Sequence, residues 1–174
     1  MNYFELYGWQ PKFFIDEKEL RNKYIALSRT NHPDYFMDSE IEIQNENFDF
    51  STLNNIAYKT LSNFDSRMEY ILNLELNEAF QEEKLHNEFL MEMMEINESI
   101  MELEFDFDAE KLKQLQTDVE NMEKDNFEAI KPILLSFDNQ SFEKKDLLEI
   151  KKYFLKKKYL LRIRNQFSKF ASHS

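Results

Sequence analysis

The chain has 174 residues, of which one is glycine, three are proline and none is cysteine. Its formal net charge is −12, and 42% of its residues are apolar while 32% are charged, a composition typical of folded globular proteins. The single glycine excludes glycine-rich phosphate-binding loops and argues against hairpin-rich β folds, whose tight turns need positive φ. Without cysteine, disulfides, thiolate catalysis and thiolate-bound metal centres are excluded as well. The composition therefore predicts a mostly helical protein.

The sequence gives no sign of a membrane segment or of a resident metal. No apolar run exceeds four residues, whereas a membrane-spanning helix needs about 20 predominantly apolar positions. The three histidines, His32, His86 and His173, lie too far apart in sequence to suggest a zinc site. We therefore expect a cytoplasmic protein without a cofactor, a metal or a membrane partner.

Capping residues mark two helices near the N-terminus. Asn2 and Glu5 have the spacing of a helix cap, and Gly8 is placed to end that short helix after Tyr7. Asp16 and Glu19 form a second capping pattern. The helix that follows is predicted to run to about Asn31, because the proline at 33 disfavours helical geometry at the residue before it.

This second helix carries two different faces at 100° per residue. Leu20, Tyr24 and Leu27 form an apolar stripe that predicts a core face. A partly basic stripe, which also includes Ile25, lies about 130° away. A solvated face is the ordinary explanation for such cations, and a docking surface for a partner is the alternative. The cations are Lys18, Arg21 and Arg29.

The rest of the first half is predicted to complete a helical hairpin. Acidic residues from Asp38 to Asp49 suggest a polar loop. Apolar residues at helical spacing then predict a helix that pairs with the previous one across a loop of about 15–20 residues. A last short helix is expected over about Ser66 to Leu74. The apolar positions of the longer helix are Leu53, Ile56, Ala57, Thr60, Leu61 and Phe64.

The second half shows three apolar seams with alternating spacings of three and four, which is typical of an antiparallel three-helix bundle. The helices are predicted near 85–106, 109–135 and 143–171, and Pro132 is expected to kink or end the middle one. We thus expect a domain over 1–74, a linker over 75–84 and a bundle over 85–174. The seams are Phe89, Met93, Ile96, Ile100, Leu103 and Phe107, then Leu112, Leu115, Val119 and Met122, then Tyr153, Leu160, Ile163, Phe167 and Phe170.

The first bundle helix has more apolar residues than its seam needs. Leu90, Met94 and Met101 project about 100–140° from the centre of the seam. An acidic side that includes Met91 lies farther round the helix. Either a wide helix–helix contact buries the extra residues, or they form an exposed surface for a partner, to which the flexible methionine side chains adapt.

Charge is distributed unevenly between the first and last bundle helices. Residues 81–110 contain 11 acidic and one basic residue, whereas residues 143–174 contain ten basic and three acidic residues. We expect the two oppositely charged helices to pack beside each other and compensate. A nucleic-acid partner is disfavoured, because the whole molecule is an anion that repels polyanions.

His32-Pro33-Asp34 follows the basic helix directly, and the residues around it resemble a known family. The chain is similar to HscB, the J-domain co-chaperone family of iron–sulfur cluster assembly. It departs from the family at Tyr35, where a lysine is common, and at Phe64, where a proline is common. The segments that carry the resemblance are Asn2-Tyr3-Phe4 with Leu6 and Gly8, Leu27-x-Arg29, Phe36, Asn55-x-Ala57-Tyr58-x-Thr60-Leu61, Arg67-x-Glu69-Tyr70-Ile71-Leu72, and Phe89-Leu90-Met91-Glu92 followed by Glu95, Ile96 and Glu98.

The resemblance implies that the first domain docks on an ATP-dependent chaperone of the HscA/DnaK class and promotes ATP hydrolysis there. His32, Pro33 and Asp34 would make the contact, supported by the cations of the basic helix. Proline fixes the backbone after the helix, and an exposed aspartate forms charge-assisted hydrogen bonds with an arginine of a partner.

The resemblance also implies that the bundle binds an IscU-type iron–sulfur scaffold protein. The chain itself would then be a non-enzymatic co-chaperone. A J-domain co-chaperone for a different client and a purely structural helical adaptor remain as alternatives. The implied scaffold-binding residues are Leu90, Met91, Met94, Glu95 and Glu98 of the first bundle helix and an aromatic of the last, for which Tyr159 is chosen over the nearby Phe154.

Overall fold

Every regular element in the described part of the chain is a helix, which confirms the all-α class. The structure, a computed structural model, describes residues 1–31, 41–76 and 85–173, with the backbone alone for 41–47 and 171–173. None of the helices in these ranges is long and apolar enough to cross a bilayer. The helices are α1 Tyr3–Leu6, α2 Glu17–Thr30, α3 Ile41–Ser62, α4 Phe64–Leu76, α5 Asn87–Phe105, α6 Ala109–Asp138, α7 Lys144–Gln166 and a terminal 3-10 helix Phe167–His173.

The chain divides into two compact units. The first contains Met1–Glu75 together with Phe137–Gln140, and the second contains Leu76–Ser136 and Ser141–Ser174. Most of the predicted linker, 75–84, lies outside the described residues, so the predicted domain bounds remain a prediction.

The predicted cap of α1 is confirmed. The Asn2 side-chain oxygen accepts hydrogen bonds from the backbone N–H groups of Phe4 and Glu5, both at 2.9 Å. In return the Asn2 N–H donates to the Glu5 carboxylate at 2.8 Å. Gly8 follows with φ of +69°, a left-handed conformation in which glycine carries no steric penalty. The N-terminus thus folds back within eight residues.

α2 begins after Asp16 as predicted, although its predicted capping partner is used elsewhere. Asp16 Oδ1 accepts from the N–H groups of Lys18 and Glu19, at 2.8 and 3.0 Å. The Glu19 carboxylate accepts from Trp9 Nε1 at 3.2 Å and lies 3.7 Å from Lys23 Nζ. Glu19 therefore ties α2 to the N-terminal segment, a tertiary contact that local spacing does not reveal.

A buried asparagine joins the first three helices. Asn54 on α3 donates through Nδ2 to the Tyr24 carbonyl oxygen at 3.2 Å and to Ser28 Oγ at 3.0 Å, both on α2. Its Oδ1 accepts from the hydroxyl of Tyr7, the residue that caps α1, at 2.8 Å. Burial raises the pKa of this hydroxyl, so Tyr7 stays a neutral donor. The α2–α3 hairpin is thus fixed by a satisfied polar centre as well as by apolar packing.

The predicted acidic loop is wrong from residue 41 onward, because α3 begins at Ile41 rather than near Leu53. No glycine or proline interrupts 41–62, and the polar residues of that stretch are compatible with an α-helix. Ile56 is exposed although the spacing placed it among the apolar residues of the helix. α4 is confirmed as a helix and extends two residues beyond the prediction at each end, with Met68, Ile71 and Leu72 fully buried.

The end of α6 belongs to the first unit, which the sequence did not suggest. The rings of Phe13 and Phe137 lie 4.9 Å apart. The Asp138 carboxylate accepts from the N–H groups of Phe13 and Phe14, at 2.5 and 2.8 Å. Burial raises the pKa of Asp138, and these two donors partly counter that rise. Buried Arg67 donates from Nε to the Phe13 carbonyl oxygen at 2.9 Å. The backbone N–H groups of Phe13 and Phe14 and the carbonyl oxygen of Phe13 thus all have hydrogen-bond partners.

The second unit is the predicted three-helix bundle. α5 and α7 run in the same direction, because later residues of one contact later residues of the other. Gln166 Nε2 at the end of α7 donates to Asn97 Oδ1 at 3.1 Å. Lys169 Nζ in the terminal 3-10 helix that continues α7 lies 2.7 Å from Glu104 Oε1. α6 runs against both, and its Glu123 pairs with Arg164 at 3.2 Å. The predicted seams are confirmed. The buried cluster is Phe89, Met93, Ile96, Ile100, Leu103, Leu112, Val119, Leu160, Ile163, Phe167 and Phe170.

Two polar or irregular residues are accommodated within the bundle helices. α6 continues past Pro132 to Asp138, so the proline does not end the helix, and the kink that was the other expectation stays a prediction. Leu134 and Phe137 beyond the proline are buried, and their packing offsets the lost backbone hydrogen bond.

Lys156 interrupts the apolar seam of α7. Its ammonium lies 5.2 Å from the centre of the Phe89 ring, and this cation–π contact stabilises the charged group beside the core.

Replacing Tyr7 with phenylalanine should destabilise the first unit by about 1–3 kcal/mol, because Asn54 Oδ1 would lose its buried donor. Tyr24→Phe is the matched control: its hydroxyl donates to Asn55 Oδ1 in an exposed setting, so we expect a loss below about 0.5 kcal/mol. Urea unfolding followed by the fluorescence of Trp9, the single tryptophan, measures this unit. Equal losses for the two variants would contradict the role of the Asn54 centre.

Candidate functional site

α5 exposes two methionines that its packing does not use. The seam of α5 is turned into the bundle, whereas side chains on the opposite side of the helix remain exposed among the residues that the structure describes. Met91 is 61% exposed and Met94 62% exposed. They lie three residues apart and are therefore neighbours on the helix surface. The exposed alternative for the extra apolar residues is thus correct for Met94 and for Met101, which is 58% exposed, and Met91 on the acidic side is exposed as well.

Leu90 behaves differently from the two methionines. It is half-buried and packs against the core cluster of the bundle, so it forms the edge between the core and the exposed side. Glu95 and Glu98 are both exposed, one and four residues after Met94. The structure thus places apolar side chains beside carboxylates on one helix.

The last helix adds an aromatic side chain near the start of α5. The Tyr159 ring packs edge-on against Phe89, with centroids 6.2 Å apart and an interplanar angle of 86°. Tyr159 is 38% exposed, and the guanidinium of Arg162 lies 5.6 Å from its ring centre. Phe154 is 2% exposed, so it has little surface to offer a partner. Between the two aromatics considered, the accessible one is Tyr159, which the structure brings beside the residue that precedes Leu90.

The first unit presents a separate cationic face on α2. Lys18, Arg21 and Arg29 are all exposed, and Arg29 lies in the last turn of the helix. Lys23 is turned to the N-terminal segment, with its ammonium 5.4 Å from the Trp9 ring centre. The residues expected to make the chaperone contact, His32, Pro33 and Asp34, lie outside the described residues, so their role remains a prediction.

One exposed aromatic was not singled out from the sequence. Phe105, the last residue of α5, is 90% exposed. It continues the three–four spacing of Met91, Met94, Glu98 and Met101, and this periodicity on the solvent side was the signal that could have identified it. Within the described ranges, no group of three or more histidine, aspartate or glutamate side chains is placed to hold a metal ion.

Comparison with known proteins assigns the chain to a family. A family model described as the HSCB C-terminal oligomerisation domain matches residues 85–168. The co-chaperone protein HscB homolog of Neisseria meningitidis serogroup A is 31% identical over 168 residues, which cover 95% of this chain and 96% of that protein. The chain belongs to the HscB family of co-chaperones.

Other HscB proteins agree in sequence and fold. The human iron-sulfur cluster co-chaperone protein HscB is 31% identical over 165 residues, covering 93% of this chain and 65% of the human protein. The structure of the chaperone HscB from Vibrio cholerae is 26% identical, with a TM-score of 0.72 over 99% of both chains. The HscB family and the all-α architecture predicted from the sequence are thereby confirmed.

Oxidation by hydrogen peroxide should separate the methionines of this HscB-type chain by exposure. We expect Met91, Met94 and Met101 to form sulfoxide roughly tenfold faster than buried Met68 and Met93 in the native protein, because oxidation follows access to the sulfur. Tandem mass spectrometry of the digested protein measures each rate, and the unfolded chain supplies the reference. Comparable rates at Met93 and Met94 would contradict the exposed position of Met94.

Proposed function

We propose that this chain is an adaptor of iron–sulfur cluster assembly. It binds an IscU-type scaffold protein through α5 and Tyr159, delivers it to an HscA/DnaK-class chaperone, and stimulates the ATPase of that chaperone through its J domain. The observation that carries the proposal is the pair of exposed methionines on α5 beside exposed Glu95 and Glu98, since apolar patches rimmed by polar residues mark interaction sites.

The scaffold-binding part rests on the chemistry around the methionines. Met91 and Met94 have flexible thioether side chains that fit an irregular partner surface. Leu90 at the edge of the core gives the contact a rigid apolar base, and Glu95 and Glu98 favour a partner with basic groups at the rim. Tyr159 contributes a large aromatic surface with a polar tip, a residue type enriched in binding hot spots.

The chaperone-binding part rests on α2 and the resemblance at its end. The exposed cations Lys18, Arg21 and Arg29 favour an acidic surface on the chaperone and would speed its encounter with the J domain. His32, Pro33 and Asp34 follow as the contact implied by the family resemblance. ATP hydrolysis takes place in the chaperone, so this chain contributes binding and positioning rather than bond chemistry.

Carrying both contacts on one chain gives the adaptor its effect. A scaffold bound to the bundle is held at a high local concentration near the chaperone bound to the J domain. The second binding event then becomes effectively intramolecular and needs no new contact between the two partners. The proposal therefore predicts two activities that can be removed one at a time.

Two variants test this division. His32→Gln should abolish stimulation of the chaperone's ATPase and leave scaffold binding unchanged, because it alters only the J-domain contact. Met91→Ala combined with Met94→Ala should weaken scaffold binding by at least about tenfold, since truncated hot-spot side chains typically cost over 1 kcal/mol, and should leave the ATPase stimulation by the co-chaperone alone unchanged. Titration calorimetry and steady-state ATP hydrolysis are the measurements.

Phe48→Ala is the control, because Phe48 is exposed in the first unit and lies outside both proposed contacts. Circular dichroism establishes that each variant is folded. If each folded variant lost both activities, the division between the units would be wrong. If the wild-type chain stimulated the ATPase but bound no scaffold, the co-chaperone would serve a different client.

A further inference from the structure

The exposed side of α5 continues well beyond the proposed scaffold contact. Met91, Met94, Glu98, Met101 and Phe105 are spaced by three and four residues and fall within about 80° of arc on the helix. Met101 is 58% exposed and Phe105 90% exposed. Phe105 lies fourteen positions after Met91 on the helix, a rise of about 21 Å. We name these five residues the outer strip of α5.

The far end of the outer strip adjoins a cleft between α5 and α6. The cleft has a volume of about 570 Å³, within the range of about 300–1,000 Å³ that is usual for ligand pockets. Leu103, Leu115 and Phe105 contribute apolar surface to its lining. The space is therefore suited to a few side chains of a partner segment.

The charges of the cleft select the kind of segment that fits. Its lining includes three carboxylates, Glu102, Asp106 and Asp118, and one amine, Lys111. Asp118 also accepts a hydrogen bond from Gln114 Nε2 at 2.8 Å, which holds this carboxylate in place on α6. A partner segment with an apolar side chain next to a lysine or arginine matches both the apolar lining and the carboxylates of the cleft.

We propose that the scaffold protein binds α5 at two places, and that the second is this cleft. There a scaffold segment would place an apolar side chain against Phe105 and Leu115 and a basic side chain beside Glu102 and Asp118. The inference rests on the proposed function and adds a second contact to it. The continuity of the outer strip from Met91 to Phe105 is the reason to assign both contacts to one partner.

A second copy of this chain is a poorer match for the cleft. The α5 helix of a second copy contains no lysine or arginine, so it offers no basic side chain to the carboxylates of the cleft. Two of the cations that the rest of the copy could offer are already paired within their own bundle, Arg164 with Glu123 and Lys169 with Glu104. Self-association through Phe105 is nevertheless an outcome that the experiment must distinguish.

The apolar half of the proposal is tested by titrating the full chain with an IscU-type scaffold in a calorimeter. Phe105→Ala should raise Kd by at least about tenfold, as expected for truncation of an aromatic anchor. Phe48→Ala is the matched control, because Phe48 is an exposed phenylalanine at 62% in the other unit, and its Kd should stay within about twofold of wild type. Because Phe105 is 90% exposed, its truncation leaves the core of the bundle intact, and circular dichroism checks that the variant is folded.

The charge half is tested with Asp118→Lys on α6. We expect slower association and a Kd raised by about tenfold or more at low salt, with the difference shrinking as salt increases. Asp125→Lys makes the same charge change on an exposed residue two turns further along the same face of α6. It should have a much smaller effect, since it lies outside the lining of the cleft.

The results separate this inference from the proposed function. If Met91→Ala with Met94→Ala weakened scaffold binding while Phe105→Ala and Asp118→Lys did not, the second contact would be wrong and the proposed function would stand. If wild type bound no scaffold, both would fail. A wild-type dimer in sedimentation velocity that Phe105→Ala converts to a monomer would also overturn the inference, because a second copy would occupy the cleft.

Discussion

The bundle can bury only one side of α5, although α5 carries apolar side chains on two. Each helix of a three-helix bundle turns one stripe toward the other two helices, and in α5 that stripe runs from Phe89 to Leu103. Met91 and Met94 therefore remain outside for a geometric reason. Full burial of one such side chain contributes about 1.5–3 kcal/mol, a free energy that the isolated unit forgoes and that a partner can recover.

The sequence was sufficient for features that depend on neighbours along the helix. The seams of the bundle and the cap at Asn2 follow from spacing alone, and the structure has both. The errors occur where distant residues decide. Glu19 bonds Trp9 instead of closing its local cap, α6 passes Pro132 because Leu134 and Phe137 beyond it are buried, and Asp138 reaches the backbone of Phe13. No local pattern contains those partners.

The same distinction applies to the candidate site. Helical spacing showed that Leu90 and Met94 both project away from the seam centre, but it could not show which of them a neighbouring side chain covers. In the structure Leu90 packs against the core while Met94 stays exposed. Likewise, Tyr159 and Phe154 are equivalent aromatics of one basic helix until their burial is known. Angular position is thus readable from sequence, whereas accessibility depends on the tertiary contacts.

The proposed function assigns two chemically different partners to one acidic chain, and its separated charges are consistent with that assignment. Exposed charges act over about 8 Å at physiological ionic strength, so a docked surface senses the face it touches rather than the net charge of −12. The α2 face presents Lys18, Arg21 and Arg29, whereas the exposed side of α5 presents Glu95 and Glu98. An acidic surface favoured on α2 is repelled from α5, and a basic rim favoured on α5 is repelled from α2. Because specificity is a difference between affinities, opposite local charge would direct each proposed partner to its own unit even though both units share one polypeptide.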